Sequence, residues 1–173
     1  MKNNLRRTCL LILSLGFLST GCEKIFGTIS DFLYSTSFEE YQSMDQWENG
    51  EYAECKNEVP AGGGKRSLYV SGGCVVPHMV LDLGRIESED LFTVRFMGKV
   101  LVNGGSVSII AVKGKSEWID LGSVYLIDKN WKEYKLVSTA PIPLGYNLKI
   151  QMSSGDFVVG GMLIDLLEIS ELD

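Results

Sequence analysis

The chemistry available to this 173-residue chain is carried by 22 acidic side chains, four cysteines, three tryptophans and a single histidine. His78 stands between Val75-Val76-Pro77 and Met79-Val80, a setting that suits a hydrogen-bonded residue at a strand edge better than a general base. No GxSxG, HExxH, phosphate-loop or histidine-supported triad pattern is present, so the usual nucleophilic and zinc-dependent layouts are missing. Paired carboxylates cleave glycosides only at a set separation, which spacing along the chain does not reveal. The reading is a non-enzyme. Among the aromatics, Trp118 follows the polar run Lys113-Gly114-Lys115-Ser116-Glu117, and Tyr125 falls on the strand expected next. A flat ring there would either stack on a pyranose face or sit half-buried as packing. Trp47, Trp131 and Tyr134 are expected in the core.

The cysteines divide by compartment. Lys2, Arg6 and Arg7 precede an apolar run from Cys9 to Leu18, too short for a spanning helix of about 20 residues and of the form of an export signal. Leu18-Ser19-Thr20-Gly21-Cys22 resembles a bacterial lipobox, with Ser19 where leucine is preferred. That resemblance implies cleavage after residue 21 and acylation of Cys22, and Glu23 behind it implies sorting to the outer membrane. The alternative is an ordinary signal peptide and a free secreted protein. Removing residues 1–21 takes away three basic side chains and no acid, leaving 13 Lys and Arg against 22 Asp and Glu, a formal charge of -9. Such a surface repels nucleic acid and anionic lipid, so attachment to a membrane must come from acyl chains. Cys55 and Cys74 remain as an even pair in an oxidising compartment, which makes a disulfide the default and two buried thiols the alternative.

The elements that must position these residues are strands. Phe92, Val94 and Phe96 alternate with Thr93 and Arg95, and Leu148, Ile150 and Met152 alternate with Asn147, Lys149 and Gln151, the period of a half-buried strand. Val107, Ile109 and Ala111 do the same. Further strands are expected at 66–71, 79–83, 123–127 and 134–138, separated by turn signals such as Asn103-Gly104-Gly105 and Gly62-Gly63-Gly64. In the last segment Ile164 and Leu166 share one parity and Leu167 and Ile169 the other; a slip of one residue predicts a β-bulge at Asp165-Leu166. The expected organisation is a signal peptide at 1–21, a lipidated tether at 22–34 and one all-β domain at 35–173. That domain is expected to be a jelly-roll β-sandwich of about eight to ten antiparallel strands.

Five motifs in order carry a further resemblance. They are Phe38-Glu39 with Trp47, Gly64-Lys65-Arg66-Ser67-Leu68, Phe92-Thr93-Val94-Arg95-Phe96, Trp131 with Tyr134, and Ile164-Asp165. This order resembles the galactose-binding-like jelly rolls that include many carbohydrate-binding modules, over most of residues 36–171. The chain departs from it at Leu166, where a second acid is common. The resemblance implies a structural calcium ion held by Glu39, Asp165 and the carbonyl of Lys65, an oxygen set that suits this hard cation. The alternative is that Glu39 or Asp165 pairs with Lys65 or Arg66. It also implies glycan binding, with Trp118 and Tyr125 as the stacking residues. A sandwich that docks an envelope protein and has no sugar site is the competing function.

Overall fold

The computed structural model describes residues 32–39, 44, 47–72, 78–154 and 161–172, all within one compact unit, Asp31–Asp173. The expected signal, most of the tether and Cys74 lie outside the described residues. Eleven strands are present among the described residues: β1 (Tyr34–Thr36), β2 (Trp47–Glu48), β3 (Glu54–Lys56), β4 (Ser67–Ser71), β5 (Met79–Arg85), β6 (Phe92–Val102), β7 (Gly105–Lys113), β8 (Glu117–Leu126), β9 (Lys132–Val137), β10 (Asn147–Ser154) and β11 (Gly161–Glu171). One sheet runs β3-β4-β11-β6-β9, with β1 also paired to β11; the other runs β2-β5-β10-β7-β8. Every pairing is antiparallel. The chain is therefore an all-β sandwich with jelly-roll pairing. The count passes the expected eight to ten because two- and three-residue strands such as β2 and β3 carry no readable alternation.

The core follows the period-two pattern. Phe92, Val94 and Phe96 of β6, Val107 and Ile109 of β7, and Leu148, Ile150 and Met152 of β10 are all buried between the sheets. Trp47 is buried against the rings of Tyr34 and Phe38, and its indole N–H donates to Tyr34 Oη at 3.2 Å. Tyr134 stacks on Phe96 at 5.4 Å between centroids, so both belong to the packing, as expected. Trp131 is only half-buried.

β11 is the strand on which the architecture turns. β4 pairs with its first half, Gly161 to Ile164, and β1 with its second, Leu167 to Ile169. The register slips between Asp165 and Glu168, and Leu166 is left at φ 49°. This is the bulge that the parity change at Asp165-Leu166 predicts. Its consequence is a notch, since β1 and β4 abut the same edge of β11 and leave the bulge between them. Asp165 lies opposite Met97 on the outer side of its sheet. It is buried nonetheless, under the β3–β4 loop that Lys99 and Ser67 pin down through Glu58.

Candidate functional site

Two groupings of side chains stand apart in the fold, one in the β11 notch and one on the outer face of the five-stranded sheet. The notch holds the two carboxylates expected there. Glu39 Oε1 accepts from the amide N–H groups of Lys65 at 2.6 Å and Arg66 at 2.8 Å. Those two bonds hold its carboxyl below the usual range. Asp165 Oδ1 accepts from the Leu166 N–H at 2.7 Å, while Oδ2 is buried with no hydrogen-bond partner among the described residues. Burial pushes the Asp165 carboxyl up to about 6; the Leu166 bond opposes that rise and the Glu39 charge adds to it.

Local backbone strain marks the same place. Phe38, immediately before Glu39, has φ 55°, and Leu166, immediately after Asp165, has φ 49°, a region that costs non-glycine residues roughly 1–3 kcal/mol. Glycines let the loop close over the carboxylates. A Cβ on Gly63 would collide with Asp165 Oδ2, and one on Gly64 would come within 2.5 Å of Glu39 Oε1. Among the described residues neither carboxylate makes a close ion pair with the Lys65 or Arg66 side chain, although the charges of both help to lower the Glu39 pKa; Asp165 has no such help. Two carboxylates, one with an orphaned buried oxygen, supply oxygens of the kind a hard cation such as calcium takes, while the Arg66 and Lys65 charges act on Glu39 alone. The backbone of Lys65 reaches this site through its amide, which points at Glu39.

The second grouping is built by register. On β7, Ser106, Ser108, Ile110 and Val112 face outward, and their partners on β8 are Tyr125, Ser123, Asp120 and Trp118. Trp118 and Tyr125 are seven residues apart, so regular alternation would put them on opposite faces. The register shifts between Ile109 and Ile110, at Gly122 with φ 140°, and the extra residue brings both rings to one face. β8 thus begins six residues earlier than the expected strand, and Trp118 and Tyr125 share it. Trp118 is 67% and Tyr125 73% exposed. Their separation along β8 is about 20 Å.

Between the rings the face is polar. Ser108 and Ser123 hydroxyls lie 2.8 Å apart, and Asp120 Oδ1 accepts from the Gly122 N–H at 2.8 Å. Across the sheet, Gln151 pairs with Ser108 and Lys149 with Ile110. The Lys149 ammonium bridges Glu48 and Asp82, the latter at 2.9 Å. Partial burial pulls its pKa down, but the two carboxylates outweigh that and raise it. His78 Nδ1 shares a hydrogen bond with Ser153 Oγ at 2.8 Å, the edge role expected of it. These polar residues of β5, β7 and β10 were legible as the solvent side of an alternating strand; that they form one face with Trp118 needs the pairing. Tyr146 is partly turned in, its hydroxyl donating to Glu117 at 3.0 Å. Cys55 carries a free thiol with Sγ 4.0 Å from the Phe38 carbonyl.

The sequence matches no family model and no curated protein. Among solved structures, it is similar to a tandem of two family 22 carbohydrate-binding modules from Paenibacillus barcinonensis, with 17% identity and a TM-score of 0.62 over 83% of this chain and 46% of that one. The chain thus spans less than half of the tandem. Its first module alone, described as a xylan-binding domain, matches with 17% identity and a TM-score of 0.61 over 83% of this chain and 96% of the module. A family 16 carbohydrate-binding module matches with 16% identity and a TM-score of 0.55 over 74% and 92%. At these identities the likeness shows the fold: the chain has the jelly-roll sandwich of carbohydrate-binding modules.

Proposed function

We propose that this chain is an envelope-anchored, non-catalytic lipoprotein whose sandwich binds an extended carbohydrate across the outer face of its five-stranded sheet. The observation that carries the reading is the exposed pair Trp118 and Tyr125, brought to one face by the Gly122 bulge with hydroxyl, amide and carboxylate groups between them. Exposed rings of this size are costly to leave in water without a use, and ring faces plus convergent polar groups are what pyranoses require. A span of about 20 Å exceeds a single sugar, so the occupant is a run of several residues. The net charge of -9 on the mature chain favours neutral glycans over polyanionic ones. That two solved structures of this fold are described as xylan-binding domains supports the class of ligand. A protein-docking sandwich would carry a flat apolar sheet face; here the face is a polar field with aromatic ends.

The anchor in this reading is acylated Cys22, reached through the tether at 22–34, with the outer membrane as destination. Cys55, a free thiol in the structure rather than the expected half of a disulfide, would pair with Cys74 only on oxidation in that compartment, and calcium in the Glu39–Asp165 notch is structural. When bound, calcium would supply positive charge beside Asp165, on which only the Glu39 charge acts. The chain's own part is to hold Glu39 through the Lys65 and Arg66 amides and to close Gly63 and Gly64 over the pair. Affinity electrophoresis against soluble xylan and other neutral polysaccharides tests the function. Retardation of wild type that Trp118→Ala removes, with unchanged melting, supports it; identical mobility in every gel refutes it.

A further inference from the structure

One end of the sandwich combines a rigid apolar tip with the point where the chain leaves the domain. The Leu33 N–H bonds to the Ile169 carbonyl at 2.9 Å, Leu172 N–H to Leu91 O at 2.7 Å, and Ser138 N–H to Phe92 O at 2.8 Å. These bonds bring the N-terminal exit, the end of β11, the β5–β6 loop and the start of the β9–β10 loop to one level. Between the two loops lies a groove of about 660 Å³ lined by Ile86, Pro141, Ile142, Leu144, Glu87 and Glu89. Leu144 at its lip is 85% exposed, and Phe32, Leu33 and Leu172 at the same end are exposed as well. The tip is preformed. Pro141 and Pro143 fix their own φ angles, Gly145 takes φ 87°, and the Tyr146 N–H closes the turn onto Pro143 O at 3.0 Å. Holding Leu144 out therefore costs little further ordering on contact.

We infer that this end rests on the uncharged interfacial region of a lipid bilayer, with Leu144 inserted. The inference rests on the proposed acylation of Cys22 for its proximity. Cys22 and Phe32 are ten positions apart in the sequence, a reach of at most about 35 Å. The far end of the sandwich stands a further strand length of about 30 Å away. A tether of that length gives the near end an effective concentration in roughly the millimolar range at the surface, so a few apolar side chains suffice. Charge narrows the lipid. Glu87, Glu89, Asp90, Glu117 and Glu171 outnumber Arg85, Lys113 and Lys115 at this end, which favours zwitterionic over anionic headgroups. Docked so, β8 rises away from the bilayer and the face bearing Trp118 and Tyr125 stands side-on to it.

The test places tryptophan at the tip and at the opposite end. Leu144→Trp and Ile127→Trp, the latter at a site 79% exposed near the β6–β7 hairpin, are each prepared as the acylated full chain in phosphatidylcholine vesicles. A second preparation joins the mature chain to chelating lipid through an N-terminal hexahistidine tag. Emission above the parental background is followed as brominated phosphatidylcholine replaces the ordinary lipid. The expected result is a blue shift and quenching for Leu144→Trp and neither for Ile127→Trp, in both preparations, weakening as anionic lipid is added. Equal quenching at both sites, quenching of neither, or a tip protected only by added glycan or protein would overturn the inference. Absence of fatty-acid label would fail the anchoring reading alone, because the tagged chain still reports on the tip.

Discussion

Asp165 offers the sharpest quantitative test, because its environment fixes both a sign and a size. Burial and the neighbouring Glu39 charge raise its carboxyl from 3.8 to about 6 in the folded chain. A folded-state pKa above the unfolded one means that the native state holds the proton more tightly. Stability from this group is present below about pH 4 and is lost as pH rises through about 6. Two units correspond to about 3 kcal/mol as a ceiling, and solvent screening reduces that to about 1–2 kcal/mol. Asp165→Asn removes the titration and keeps the oxygen that accepts from Leu166. In chelator, the wild-type melting temperature should therefore fall relative to Asp165→Asn between pH 4 and 7, by about 2–8 °C for a domain of this size. Calcium should invert the slope. Only the charged carboxylate binds it, so calcium at 100 times its Kd adds about 2.7 kcal/mol above pH 6 and much less below pH 5. Parallel wild-type and Asp165→Asn curves in chelator would refute the buried, uncompensated carboxylate. A wild type indifferent to calcium at pH 7 would refute the cation.

The remaining expectations can be read with standard assays. Tyr125→Ala should weaken binding to long oligosaccharides by roughly 1–3 kcal/mol, the size of a lost hot-spot ring, and leave affinity for short ones at the Trp118 end unchanged; calorimetry over a length series decides it. Cys22→Ser should abolish incorporation of a fatty-acid probe, and equal labelling of both proteins would exclude acylation there. Non-reducing peptide mapping of envelope-purified protein should recover linked Cys55 and Cys74; two alkylatable thiols would exclude the pair.

How far the fold could be read depended on how regular each strand is. The polar and apolar alternation places β7 and β10 to within two residues at each end and β6 at its start, since each buries one face and exposes the other; the last six residues of β6 lie beyond the alternation read for it. The bulge in β11 was also legible, because four apolar residues change parity there. The bulge in β8 was not. It falls at Gly122, whose missing side chain carries no parity, so the sequence reads as a strand that starts after it, with Trp118 in a loop or strand edge before it. Glu39 and Asp165 were found through motif order, yet what makes them a site is the notch between β1 and β4, a product of pairing. The polar members of the proposed binding face, Lys149 and Gln151 among them, are visible in the sequence only as the wet side of a strand. Nothing local distinguishes a wet side from a ligand side; that takes the neighbours across the sheet.

The two sites also lie on opposite surfaces, which yields a last expectation. Asp165 faces outward from the six-stranded sheet and Trp118 outward from the five-stranded one, with two sheets and a core about 10 Å thick between them. A cation in the notch cannot touch a glycan on the far face. Its influence must pass through the fraction of folded chains, a mass-action effect that vanishes well below the melting transition. Glycan affinity measured at 25 °C should then be the same in calcium and in chelator, while near the chelated melting temperature binding should need calcium. Circular dichroism recorded on the same samples separates the two regimes. Loss of binding in chelator with the sandwich still fully folded would show that the cation belongs to the binding face, and the division of labour between the sheets would have to be abandoned.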